Sequence, residues 1–408
     1  MAPSLPPCHA ATAPIGVILV NLGTPSEPSP AAVRRFLREF LTDRRVIEAP
    51  AVPWRVCLEV CILPVRSRAS AAKYASVWYP GGSPILVHSR EQAAALAAAL
   101  NGSREPSEGR AWPGVPPSPA APAGPAVTPG ALGTPAAPPA ASTGPPTTPT
   151  HAPTRTMPTD PPAYVVRPAM RYGSPAIGPV VDELQAEGVR QILVVPMYPQ
   201  YSQTTVATIY DALAAHLAHR RDQPELRLIR SFPTASRYIE ALAQRVEATW
   251  RDEGRPDFAA GERLVLSFHG LPVAMVDKGD PYRSECLATA AALRVRLGLD
   301  ETQCLTTFQS KFGPSRWLPP ATIDTVRRLG AAGTARVDVF CPGFVADCLE
   351  TLEEIQLLNR EAFTTAGGGR FVRIPCLNAE PAWIDALASL IHGHTDGWTA
   401  ADGGPAVR

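Results

Sequence analysis

The sequence predicts an α/β protein made of two domains, each a parallel four-stranded sheet flanked by helices, with a cleft between them. Three observations carry that expectation. Short runs of β-branched and other apolar residues alternate with stretches of helical periodicity. The runs are apolar throughout rather than at every second residue, as strands covered on both faces must be. The alternation also occurs twice, in two successive sets of about four strands that divide near residue 225.

Ile15–Leu22 (IGVILVNL) is a continuous apolar run of strand length. Pro30–Leu41 follows with apolar residues at helical spacing and proline first, where a missing N–H is harmless. Glu91–Leu100 is an alanine-rich helix that Asn101-Gly102 should end. Tyr164–Met170 reads as a strand, and Ile177–Glu187 as a helix closed by Gly188. Gln191–Pro196 is a buried strand, Thr204–His219 a helix and Glu225–Ile229 a short strand. The second set opens with a strand at Arg263–Phe268 and a helix at Pro281–Leu297 closed by Gly298. Thr302–Phe308, Ala335–Cys341 and Phe371–Ile374 are its other strands. Ala321–Leu329 and Cys348–Ala362 are the helices between them, and Pro381–Ile391 is the last helix.

Proline sets the domain limits. It supplies 47 of 408 residues, and 18 of those fall between Asn101 and Pro162. From Ala111 to Thr154 no Asp, Glu, Lys or Arg occurs. Such a Pro/Ala-rich tract lacks the large apolar groups that offset the entropy of ordering, so 101–162 is expected to be a disordered insertion. The remaining limits are a disordered N-terminus at 1–14, a first domain at 15–225, a second at 226–380, a C-terminal helix at 381–392 and a flexible tail at 393–408.

A net charge of +1 without a Lys/Arg run gives no footprint for nucleic acid. The first residues carry neither a positive charge nor an apolar core, so no secretory signal is expected there. No apolar run is long enough for a membrane-spanning helix. Eight cysteines without a C-x-x-C suit a reduced, cytoplasmic protein. Pro50–Pro64 (PAVPWRVCLEVCILP) is either a buried helix or an exposed apolar lip, with Cys57 and Cys61 read as packing residues.

In parallel sheets functional residues gather beyond the carboxyl ends of the strands. His269 follows the strand RLVLSF directly, where an imidazole can take a proton, ligate a metal, or simply bond the following turn. Asp347, Glu350 and Glu354 stand at i, i+3 and i+7 after another strand end, on one face of an α-helix. Such a carboxylate row could pass a divalent cation or move protons, whereas an acidic first turn and a solvated face would account for Asp347 and Glu353. Cys348 reads as a small buried hydrophobe. Arg171-Tyr172, Tyr198–Ser202, Phe312, Trp317 and Phe344 form an aromatic and cationic group suited to a flat apolar ligand with acidic tails, or to packing.

Asn21–Pro25, Gly81–Pro84, Tyr198–Ser202, Ser267–Pro272, Gly279–Tyr282, Gln309–Pro314 and Pro342–Glu354 occur together in the order found in ferrochelatases. The chain resembles that family, in its bacterial form, from Ile15 to Ile391 outside the insertion. The resemblance implies two Rossmann-like, chelatase-type halves around a porphyrin cleft. It implies a lyase that inserts Fe2+ into protoporphyrin IX to form protohaem with release of two protons, the last step of haem synthesis. By motif, His269, Glu350 and Glu354 match active-site residues, His269 and Glu350 being the candidate metal contacts. Leu22, Ser83, Arg171, Tyr172, Tyr201 and Trp317 match porphyrin-lining segments. Ferrous iron is then a substrate, and no iron–sulfur cluster is expected, because the C-terminal extension that holds one in some relatives has no counterpart here. Alternatives are a coproporphyrin or cobalt chelatase of the same fold, or a non-catalytic porphyrin carrier. Residues 50–64 are the candidate peripheral membrane contact, on the cytoplasmic face of an inner membrane.

Overall fold

The structure is a computed structural model that describes residues 13–102, 163–311, 313 and 315–398. The expectations for residues 1–12, for 103–162 of the insertion, for Phe312 and for 399–408 lie outside these residues. The first half runs β1 (Ile15–Thr24), α1 (Pro30–Thr42), α2 (Ala51–Cys57), a π-helical turn (Leu58–Ile62), α3 (Leu63–Ser76) and α4 (Pro84–Gly102). It continues through β2 (Tyr164–Gly173), α5 (Ile177–Ala186), β3 (Gln191–Pro196), α6 (Val206–Leu217), β4 (Glu225–Leu228) and α7 (Ser236–Glu253). The second half comprises β5 (Arg263–His269), α8 (Val273–Asp277), α9 (Tyr282–Leu297), β6 (Cys304–Gln309), α10 (Thr322–Ala331) and β7 (Arg336–Phe340). A π-helix (Glu350–Asn359), α11 (Arg360–Thr365), β8 (Arg370–Arg373) and α12 (Pro381–Thr395) complete it.

Both sheets are four-stranded and parallel, in the orders β2-β1-β3-β4 and β6-β5-β7-β8. The same order recurs, so each sheet changes winding direction beside its first strand. Parallel sheets bind ligands at that switch point, outside the carboxyl ends. In the second sheet the point lies between β5, which ends at His269, and β7, which leads to Pro342–Glu350.

Alternate residues of β1 explain the layering. Ile18 and Val20 face α5 and α6, whereas Val17 and Leu19 face α4 and α12. The latter core continues without a break into Leu264 and Leu266 of β5, α7 and α9. A third cluster, from α1, α3 and Tyr172, lies over the carboxyl ends of β1 and β2 and also takes in Leu22 and Leu349. Gly23 is required there: φ is +120°, and a Cβ would lie 1.8 Å from the Tyr172 carbonyl oxygen.

Several boundaries differ from expectation for physical reasons. Helix α4 begins at Pro84, seven residues early, because its polar residues are buried and bonded rather than solvated. Ser89 accepts from Asn21 Nδ2 at 2.7 Å, and Gln92 donates to the Val345 and Asn378 carbonyls. Helix α7 was not expected at all. Its apolar Tyr238, Leu242, Val246 and Trp250 do recur every fourth residue, but the helix falls between the two strand–helix sets. Residues 393–398 are part of the fold, not a tail: α12 reaches Thr395, and buried Trp398 lies under the Arg227 guanidinium.

Helix α4 also runs through Asn101-Gly102 instead of ending before them. The Asn101 side chain accepts from Tyr164 N at 2.9 Å and donates to Tyr164 O at 3.0 Å. This clasp ties the end of α4 to the start of β2, so the insertion leaves and re-enters the fold at one point. Deleting Glu105–Pro158 is therefore expected to leave the melting temperature and metallation rate near those of the full chain. An insoluble or inactive product would show that the tract is structural.

Candidate active site

His269 closes β5 and is half-buried. Its Nδ1 lies 2.7 Å from the Gly270 carbonyl, which can only accept, so Nδ1 carries the proton. In the neutral ring Nε2 then keeps its lone pair, free to take a proton or a metal. The Phe344 ring stands 6.3 Å from the imidazole, and Trp317 packs over Gly270.

Gln309 joins this histidine to the acidic segment. It pairs with His269 in the sheet, accepts from Ser267 Oγ at 2.7 Å, and donates to the Glu350 carbonyl at 3.2 Å. The Glu350 carboxylate is felt by the hydroxyls of Tyr74 on α3 and Tyr198 after β3. Burial pushes both phenols well above their ordinary range, helped by Glu350 at Tyr74 and by Tyr172 and then Glu350 at Tyr198. The Tyr198 hydroxyl is buried without a hydrogen-bond partner among the described residues. Leu349 packs in the cluster over the strand ends of the first sheet and Gln309 of the second sheet holds the Glu350 carbonyl, so Glu350 lies between the carboxyl ends of the two sheets.

The acidic row takes a different form from the one expected on an α-helix. Glu350–Asn359 is π-helical, with a wider turn, and Asp347 precedes it. Asp347 leaves the row: it is buried and takes bonds from Arg373 (2.8 Å), Asn378 (2.9 Å) and Thr351 (2.9 Å). Burial alone would push its carboxyl up, but Arg373 and these hydrogen bonds outweigh it and hold it below the usual range. Glu353 is not on a solvated face either; it is buried and paired with Lys73 of α3 at 3.0 Å. Glu354 is held by Ser310, whose N–H donates at 2.7 Å and whose hydroxyl donates to the other oxygen. Ser310 has φ +66°, a left-handed conformation that costs about 1 kcal/mol or more in a residue with a side chain, and the two bonds to Glu354 hold it there.

Among the remaining candidates, Leu22 packs in the cluster over the strand ends beside Leu349. Ser83 is buried and its hydroxyl accepts from Leu86 N, the role of a helix cap. Arg171 is bound to Asp43 at 2.6 Å and to the Thr208 carbonyl, and buried Tyr172 donates to the same Asp43. Tyr201 lies under Arg230, with its N–H on Glu285. Cys348 is buried, as expected, and burial and then Glu350 push its thiol well up, so it is neutral. Cys57 and Cys61, by contrast, are exposed. Lys73, Tyr74 and Ser310 were not found from the sequence: the first two sit in the last turn of α3, away from any strand end or motif, and nothing in the Gln309–Pro314 motif singles out Ser310.

The two parallel four-stranded sheets, with Gln309 linking the strand that ends at His269 to the main chain of the acidic π-helix, make this a chelatase-type α/β protein. The model of the ferrochelatase family matches residues 14–111 and 152–395, and the chain belongs to this family. That makes it a tetrapyrrole metal chelatase of the lyase class. Similar solved structures include SirB from Bacillus subtilis with Fe3+, at 15% identity, 58% of this chain, 82% of that chain and TM-score 0.42. Another is the sirohydrochlorin chelatase SirB from Bacillus subtilis subspecies spizizenii in complex with cobalt, at 11% identity, 59% of this chain, 84% of that chain and TM-score 0.38.

Proposed function

We propose that the chain inserts Fe2+ into protoporphyrin IX, forming protohaem and releasing two protons. The observation that carries this reading is the His269 tautomer. Nδ1–H is fixed on Gly270, and Nε2 is left basic at the strand end, next to the Gln309 bridge to Glu350. A free-base macrocycle must lose two pyrrole protons before a divalent ion can sit in its plane. His269 accepts them, and Glu350 and Glu354 lead protons or the incoming ion along the π-helix. Among the described residues no three His, Cys, Asp or Glu side chains gather as a metal cage, so His269 or Glu350 would share the ion with the macrocycle nitrogens. Leu22, Trp317 and Phe344 supply apolar surface for a flat ring, and Ser83, Arg171, Tyr172 and Tyr201 support the segments around it.

The test is anaerobic metallation followed by absorbance, with protoporphyrin IX, coproporphyrin III and sirohydrochlorin in competition and Fe2+ or Co2+ supplied. Preference for protoporphyrin and Fe2+ is expected. Preference for another pair would reassign the substrate, and no catalysed metallation would leave a carrier.

Residues 50–64 form an exposed lip: Val52, Val56 and Val60 are 76%, 60% and 69% exposed, and Val65 continues the row at 73%. No helix among the described residues is long and apolar enough to cross a membrane. The lip fits peripheral contact with an inner-membrane surface on its cytoplasmic side. Leu58 is buried, and Trp54 donates to the Leu41 carbonyl, so neither forms the contact surface. Replacing Val52, Val56 and Val60 together by Ser is expected to reduce flotation with lipid vesicles; unchanged flotation would reject the lip.

A further inference from the structure

Strand β8 is the last strand of its sheet, and one of its edges pairs with no strand among the described residues. Its main chain bonds β7 through Arg370 N to the Ala335 carbonyl (2.7 Å) and Ile374 N to the Val339 carbonyl (2.9 Å). In a parallel ladder the intervening residues turn their N–H and C=O groups to the other side, so those of Phe371 and Arg373 face outward. A groove of about 370 Å³ runs along this edge. Gly369–Arg373 form its floor, with Glu253 on one side of the sheet and Gln356, Arg360 and Thr364 on the other.

Three guanidinium groups line the groove. Arg370 is paired with Glu253 and Arg373 with Asp347. Arg360 is exposed and its side chain has no partner among the described residues. Charged edge strands keep like edges apart. Arg370 and Arg373 already hold their own carboxylates, so a second copy of this edge would bring no acid to Arg360 and leave that cation unmatched in both copies. An acidic strand would match it. The chain offers none from its insertion, where Ala111–Thr154 carries no Asp or Glu.

We propose that the free edge of β8 is a docking groove for an extended acidic segment of a partner protein, which adds as a fifth strand. Main-chain pairing with Phe371 and Arg373 supplies the register, and carboxylates on the segment reach Arg360 and the arginines beside it.

The probe is a fluorescein-labelled peptide of about eight residues alternating Glu and Thr, titrated against the full chain and read by anisotropy. Saturable binding is expected, weakened about tenfold or more by Arg360→Glu at unchanged metallation rate. The same peptide N-methylated at every residue should not bind, because it cannot pair with the strand. No binding of the unmodified peptide, no effect of Arg360→Glu, or equal binding of the N-methylated peptide would each overturn the proposal. Displacement of the peptide by citrate at equal charge concentration would reduce the groove to a small-anion site and overturn it as well.

Discussion

Replacing His269 by alanine is expected to lower the metallation rate by about 10²–10⁴-fold, the usual contribution of a positioned acid–base group. His269 is only half-buried, and among the described residues its ring meets the Gly270 carbonyl and Phe344. Removing it therefore creates no large cavity, and melting should shift little. The loss should fall on kcat rather than KM, because the macrocycle would be gripped by other groups. Imidazole added to the His269→Ala enzyme should recover part of the rate. Near-normal turnover by His269→Ala would show that another group accepts the pyrrole protons.

The second large effect is one of stability. Arg373→Ala should destabilise the fold by about 3–5 kcal/mol, since it leaves Asp347 as a buried charge without its cation. The side chains of Arg373 and Asp347 are 15% and 5% exposed, so solvent screens the pair little. Adding Asp347→Asn to Arg373→Ala should recover much of the loss, because the buried charge is then gone. The sign of the pH dependence follows from the depressed carboxyl. In the wild type its contribution is complete above the unfolded carboxyl range, near pH 4, and is lost as pH falls through the lower folded value. Without Arg373, burial instead raises the carboxyl. The gap in urea midpoint between wild type and Arg373→Ala should then be wide at pH 7 and narrower at pH 3. An equal gap at both would place the destabilisation elsewhere.

The parallel strands were legible because strands buried on both faces must be apolar throughout, and Ile15–Leu22 and Arg263–Phe268 are. His269 was legible for a related reason: the end of such a strand is a defined place in space. The acidic segment was only half legible. Glu350 and Glu354 keep a common side in either helix, but i, i+3, i+7 spacing says nothing of a π-helix, nor of the distant Arg373 that claims Asp347. Lys73 and Tyr74 reach the site from α3, which contains no strand end and no motif. Ser83 belongs to a motif and Arg171 follows a strand, yet in the structure their polar groups serve a helix cap and an ion pair, contacts that depend on packing rather than on neighbours in sequence.

The core that passes from Val17 and Leu19 into Leu264 and Leu266 has a mechanical consequence. Hinged domains need an interface that can part, and a continuous apolar layer cannot part without exposing itself to water. The two halves should therefore move as one body on binding, and adjustment to a ligand must come from side chains at the strand ends such as Trp317. They should also melt together. Trp250, near the β7 end of that core, and Trp383, on the last helix, should report a single cooperative transition.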